Sequence, residues 1–292
     1  MNCLSPSRAP PEWAGPFLLR RRRPKPLVSK RSIPSLQQWT PHPSPSNAPI
    51  KPAVVTVGDE LMFGERSNDN QQWLLEDLRE RGHPAELALI LPDSVASIAA
   101  WLRMLLREQC FPVLVSGGLG GTHDDCTREG IAAALQIPLA RHRDCFQILA
   151  AKYGDQFTTG RQRMAMLPEG CDLIPNPIGA PGFTLNGVYA FPGFPNMLKP
   201  MVRLVLDSIL PKSDSSVYLA REYVLPMSEG MIAYDIEGFT KEHPEVRIGL
   251  YPHAERFPLE VTVRLRYKAH DQRLVADFEN LLATIRQKHH PT

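Results

Sequence analysis

The chemistry-bearing residues of this 292-residue chain are densest between Val113 and Glu129. The apolar, β-branched stretch Val113–Ser116 runs into Gly117, Gly118, Leu119, Gly120 and Gly121, followed by Thr122, His123, Asp124, Asp125, Cys126 and Thr127. A strand that delivers a glycine-rich turn to a helix start is how α/β proteins receive phosphate. The glycines let the backbone approach a ligand closely, and the first N–H groups of the helix lack intrahelical partners and point at it. Two adjacent carboxylates beside a phosphate pocket call for a divalent metal ion or a transferred proton. Asp124 and Asp125 are therefore the candidate metal ligands and catalytic acids; the alternative is that one of them caps the helix from Thr127. His123 offers an imidazole as a metal ligand or general acid, or is a solvated loop residue. Cys126 offers a thiol, or a small packing residue.

Other polar residues fall where the same pocket can use them. Asp59 and Glu60 follow the apolar strand Ala53–Val57, and Asp93 follows the strand Leu87–Leu91. Each of these acids has a plainer reading, as a turn residue or, for Asp93, as the cap of the next helix. Asn70 can hydrogen-bond a ribose or phosphate or cap its own helix. Asn176, Gly182 and Phe183 are placed to wall the base or pterin side, Phe183 as a stacking surface or a core residue. Pro192 and Gly193 supply a second turn, and Lys199 just beyond it could reach phosphate.

The elements that must position these residues follow from apolar spacing. Ala53–Val57 and Leu87–Leu91 read as buried strands, and Leu74, Leu75 and Leu78 mark a helix over 70–81 closed by Gly82. Ser94–Leu106 carries Ile98, Trp101, Leu102 and Leu105 at helical spacing, then come the strand Val113–Ser116 and a helix over 127–135. This right-handed βαβαβ winding predicts an α/β fold with a parallel sheet covered on both faces, ligands binding at the carboxyl ends of the strands. Asp59, Glu60, Asp93 and Gly117–Asp125 all fall at those ends. After a last strand, Val188–Phe191, and a helix Met201–Ile209, Pro211–Ser216 reads as a linker. The order strand 217–224, helix 229–241, strands 246–251 and 259–266, helix 272–287 predicts a small α+β domain for scaffolding or dimerisation.

Composition bounds the function. Residues 1–51 hold nine Lys or Arg, one acid and eleven of the 29 prolines, including the run Arg20–Arg23. That stretch reads as a disordered extension. Residues 52–292 carry the remaining 24 bases and 30 acids, a net of −6. An acidic body argues against nonspecific nucleic-acid binding. No apolar run approaches the roughly 20 residues that span a bilayer, so no membrane role is expected. Five scattered cysteines without a C-x-x-C pair exclude a disulfide framework and a structural zinc site, and fit a reducing cytoplasm.

Gly58–Leu61, Gly64-Glu65, Asn70, Gly117–Gly120, Thr122–Glu129, Asn176-Pro177, Ala180–Phe183 and Pro192–Pro195 together resemble the CinA-type (competence/damage-inducible protein A) branch of the MoaB/Mog-like molybdopterin-binding superfamily. The resemblance covers about residues 52–210, and Ile248–Pro252 is similar to the small domain that follows in CinA-type proteins. It implies a three-layer Rossmann-like domain over 52–211, a small α+β domain over 217–290, and a homo-oligomer. It implies a nucleotide-like phosphate ligand on Gly117–Thr122 and Thr127, and in CinA-type members a metal-dependent ADP-ribose pyrophosphatase. In the molybdenum-cofactor branch it implies molybdopterin binding and adenylylation, and a non-catalytic nucleotide sensor is the third class. The amidohydrolase domain of longer CinA proteins is not expected here. Three positions depart from the family pattern. Gly121 replaces a proline and is expected to loosen the loop; Asn68 and Asn196 replace acids and lower the negative charge available to a metal.

Overall fold

A computed structural model of the chain describes residues 50–210, 212, 218–253, 255 and 259–289. The Arg20–Arg23 extension, and most of the 211–216 linker, lie outside the described residues. Ahead of the first strand, the Lys51 N–H donates to the Phe111 carbonyl and the Phe111 N–H donates back to Lys51 (3.1 and 2.8 Å).

Strict alternation of side chains produces the layers. The strands β1 (Ala53–Val57), β2 (Leu87–Leu91) and β3 (Val113–Ser116) run parallel, β1 in the middle. Val55, Val113 and Val115 point into one apolar core with Ile98, Leu102 and Ile131. Their neighbours Val54 and Leu114 point into another with Leu74, Leu78, Val202 and Leu206. β1 and β3 are thus buried along their whole length because both faces are covered, whereas the edge strand β2 leaves Ala88 and Ile90 exposed. On the first face lie α3 (Val95–Arg107) and α4 (Thr127–Leu135); on the second lie α2 (Asp69–Glu80) and α7 (Pro195–Ile209). A short α1 (Asp59–Met62) follows β1 directly.

The expected parallel winding of β1–β3 is present, and the sheet continues beyond it as a mixed sheet. Its order is β2-β1-β3-β8-β7-β6, where β8 (Val188–Phe191) runs parallel to β3 and β7 (Gly182–Leu185) pairs antiparallel with both β8 and β6 (Asp172–Ile174). Asn186 and Gly187 both have positive φ (49° and 81°), the tight two-residue hairpin that an Asn-Gly pair favours. Between α4 and β6 the chain inserts β4 (Leu139–Arg141), α5 (Arg143–Tyr153), α6 (Thr159–Arg163) and β5 (Met166–Pro168), with β4 and β5 paired.

The small domain matches its expected element order. Strands β9 (Tyr218–Leu225), β10 (Arg247–His253) and β11 (Glu260–Lys268) form an antiparallel sheet in the order β10-β11-β9. Helices α8 (Glu229–Glu242) and α9 (Gln272–His289) cover one face, burying Ile232, Phe239, Val263, Leu265, Phe278 and Leu282 in a separate core.

Candidate functional site

The glycine run forms a loop between β3 and α4 that its own side chains hold open. Gly117 (φ 98°) and Gly118 (φ 62°) lie in the left-handed region, and a Cβ on Gly117 would run into the Val57 carbonyl oxygen. Only glycine fits there. The Thr127 hydroxyl, fully buried, donates to the Gly117 carbonyl (2.9 Å), and the Thr127 N–H donates to Gly118 (3.1 Å). The helix is not capped by an aspartate. Asp125 faces the loop: Oδ1 accepts the Gly120 N–H (2.7 Å), and Oδ2 accepts the Thr122 N–H (2.8 Å) and its hydroxyl. Both carboxylate oxygens are thereby engaged in shaping the turn.

A second group of acids converges on this loop from the ends of β1 and β2. The Asp59 N–H donates to Asp93 Oδ2 (2.9 Å), while the Asp93 N–H donates to Asp59 Oδ1 (3.1 Å). This reciprocal pair ties the two strand ends together. The other Asp93 oxygen, Oδ1, faces the loop, 3.3 Å from where a Cβ on Gly118 would stand. The capping alternative for Asp93 does not hold, because Ser94 is the N-cap of α3 and accepts the Ser97 N–H (3.4 Å). Burial pushes the Asp93 carboxyl above its usual range, and the charges of Asp59, Glu60 and Asp124 push the same way against the lowering effect of the Asp59 N–H. Glu60 folds back over Gly58. Asp124 is exposed, and the Thr122 hydroxyl draws its carboxyl below the usual range. Burial and the surrounding carboxylates push the Cys126 thiol up to about 11, so it is no nucleophile at neutral pH.

The Pro192-Gly193 turn closes the other side. Gly193 packs against the Cα of Gly117, and the Asn70 side-chain amide donates to the Gly193 carbonyl (2.7 Å). Asn70 thus joins α2 to the turn; the cap of α2 is Asn68, which accepts the Gln71 N–H (3.2 Å) and donates to Thr56 (2.8 Å). The residues at 70, 193, 117, 118, 93 and 59 form one continuous chain of contacts at the carboxyl ends of the strands, as the winding requires.

Several expected site residues stand elsewhere. Phe183 is 1% exposed and belongs to the core, so it offers no stacking surface. Gly182 is buried in β7, its Cα pressed against the Ala190 carbonyl of β8. Asn176 spends its side chain on its own turn, donating to Ala180 (2.8 Å) and accepting from the Ile178 N–H (3.1 Å). Lys199 lies over the Trp73 ring (5.4 Å), and His123 is 96% exposed beside Asp124. Leu119 packs partly against the first core. Gly121 does not loosen the loop: it touches the Gly160 carbonyl of α6, which leaves no room for a side chain.

Arg128 supports the loop from below without standing out among the chemistry-bearing residues of the sequence. It is 1% exposed, and its guanidinium donates to the Leu119 carbonyl (2.6 Å) and the Asp125 carbonyl (3.3 Å). Burial works against its charge, and Glu129 and Asp125 work for it. A usable signal was present, because Arg128, Ile131 and Leu135 share one stripe of a 3.6-residue period.

Among the described residues, no three His, Cys, Asp or Glu side chains gather to hold a metal unaided. Nor is any described helix long and apolar enough to cross a membrane.

Comparison with known proteins places this arrangement. A CinA-like protein of Frankia casuarinae is 30% identical over 254 residues, covering 80% of this chain and 58% of its own length. A protein of Archaeoglobus fulgidus is 29% identical over 230 residues, covering 78% of this chain and 96% of its own. The crystal structure of the protein CinA, of unknown function, from Thermoplasma acidophilum superposes with a TM-score of 0.51 at 32% identity, covering 55% of this chain and 99% of that one. The model of the probable molybdopterin binding domain matches residues 53–212. By that match and these relatives, the chain belongs to the molybdopterin-binding domain family, in its CinA-like branch.

Proposed function

We propose that the loop Gly117–Thr122 binds the phosphates of a small nucleotide and that the chain hydrolyses an ADP-ribose-type diphosphate with the help of a divalent cation. The observation that carries this reading is the approach of Asp93 Oδ1 to Gly118, a carboxylate beside a phosphate cradle. Four acids facing an anionic ligand repel it unless a cation intervenes. Asp124, with Asp59, would hold that cation together with the substrate phosphates; when bound, it neutralises charge on the phosphates and lowers the proton affinity of a water.

The chain's own groups supply the rest. The loop N–H groups not spent on Asp125 or Phe191, those of Gly118, Leu119 and Gly121, and the start of α4 hold the phosphate oxygens as charge builds on them. Asp125, Thr127 and Arg128 fix those amides in advance, so that binding costs little ordering. Asp93, held in place by the Asp59 N–H through one oxygen, keeps the other available to accept the proton of the attacking water. Attack on phosphorus forms one P–O bond and breaks the bridging P–O bond, giving AMP and ribose 5-phosphate. Incubation of the purified protein with ADP-ribose across a panel of divalent metals tests this, and no AMP with any metal would sink it.

The family match favours a second reading, in which the loop binds the phosphate of a molybdopterin. A fluorescent pterin released on denaturing the purified protein would support it, with ADP-ribose then remaining intact.

A further inference from the structure

The net charge of the chain conceals a basic face on the small domain. In β11, Val261, Val263, Leu265 and Tyr267 are buried, so the alternating Arg264, Arg266 and Lys268 reach the opposite side of the sheet. The register brings Arg247 of β10 to the same side, directly across from Arg266. Cations directly opposed in a sheet repel each other, and neighbours two apart on one strand are only about 7 Å away. A merely solvated face would interleave both signs. Glu222 stands directly across from Arg264 and accepts its Nε–H (2.6 Å), and Glu260 lies at the end of β11, but the register sets no acid across from Arg247, Arg266 or Lys268.

A flat aromatic surface lies among these cations. Tyr251, 42% exposed, sits over Gly249, where a Cβ would come within 2.7 Å of its ring. The Arg264 guanidinium stands 5.2 Å from the ring centroid, and Arg266 donates to the Tyr251 hydroxyl (3.0 Å). The ring is held flat against the sheet while part of it remains open to solvent.

The geometry points to this face as a binding surface for single-stranded nucleic acid, a base stacking on Tyr251 and phosphates lying on Arg247, Arg266 and Lys268. Open sheets that combine an aromatic platform with a track of cations bind single strands in this way, without base-specific hydrogen bonds. The expectation of no nucleic-acid partner rested on the charge summed over residues 52–292, which the register resolves into an acidic strand-end site and a basic sheet face. This surface shares no residue with the glycine loop and does not depend on its ligand.

Fluorescence polarisation of the full chain with a labelled mixed-sequence 20-mer, as DNA and as RNA, tests the assignment. Binding is expected to weaken by about 20-fold between 50 and 200 mM salt if three phosphates are neutralised. Tyr251→Ala is expected to weaken it by about 5- to 100-fold. The double variant Arg266→Ala/Lys268→Ala removes only long side chains from the face and keeps the test valid if Tyr251→Ala fails to fold. Because Arg20–Arg23 is itself basic, a chain with those four arginines changed to alanine is the control and should still bind. The proposal is overturned if neither oligonucleotide binds, if only the Arg20–Arg23 variant loses binding, or if anionic vesicles or a second copy of the chain compete for the face and the oligonucleotide does not.

Discussion

Asp125 and Asp93 stand on either side of the same glycine loop and have been given opposite tasks. Asp125 commits both oxygens to three donors of the loop. Asp93 commits one oxygen to the Asp59 N–H and turns the other toward Gly118, with its proton affinity raised. A carboxylate whose lone pairs are consumed by backbone amides builds shape; one left partly free among other acids can take a proton or share a cation. Identical side chains, both at strand ends or loop ends, are thus separated by their partners alone.

The largest effect should come from Asp93→Asn, which keeps an acceptor for the Asp59 N–H but removes the charge. The turnover number for ADP-ribose is expected to fall by about 10²–10⁴-fold, with KM changed much less. Wild-type turnover should also decline as pH drops through the raised Asp93 value, at a pH above the ordinary carboxylate range; a limb at or below that range would take the proton-accepting role away from Asp93.

Next in size is Gly117→Ala, which forces a Cβ toward the Val57 carbonyl at φ 98°. Calorimetry should show the larger domain destabilised by about 3 kcal/mol. Asp125→Asn should follow, with ligand affinity reduced on the order of 10-fold as the turn loses donors' partners, while the turnover number stays within a few-fold of wild type. If Asp125→Asn instead reproduced the collapse in turnover expected of Asp93→Asn, the division between the two residues would be broken.

The smallest effect is on stability. A raised value in the folded state means that the folded chain holds the Asp93 proton more tightly than the unfolded chain does. Stability is then gained as pH falls through that value and lost as pH rises through it. Asp93→Asn should therefore melt slightly above wild type at pH 8, with the gap closing toward pH 4; a lower melting temperature at pH 8 would mean that the Asp59–Asp93 pair stabilises the fold as an ion.

What the chain disclosed in advance, it disclosed through periodicity. Val54/Val55 and Leu114/Val115 alternate between two faces, and residues 217–290 alternate between strand and helix spacing, so both domains were legible. The side-chain division of labour was not, since Ser94 takes the cap that Asp93 could have taken and this depends on the path of one turn. Phe183 stayed undecided between stacking surface and core because Asn176–Pro181 is rich in turn residues and masks the strand after it. The Asn186-Gly187 pair was the available clue to that hairpin. The role of Gly121 could not be read locally, because its neighbour Gly160 arrives from an insertion 39 residues away.

That last contact has an evolutionary consequence. A proline at 121 places a Cβ where the Gly160 carbonyl now stands, so a chain carrying the commoner Gly-Pro pair cannot bring its inserted helix this close. Positions 121 and 160 should drift as a pair through related sequences.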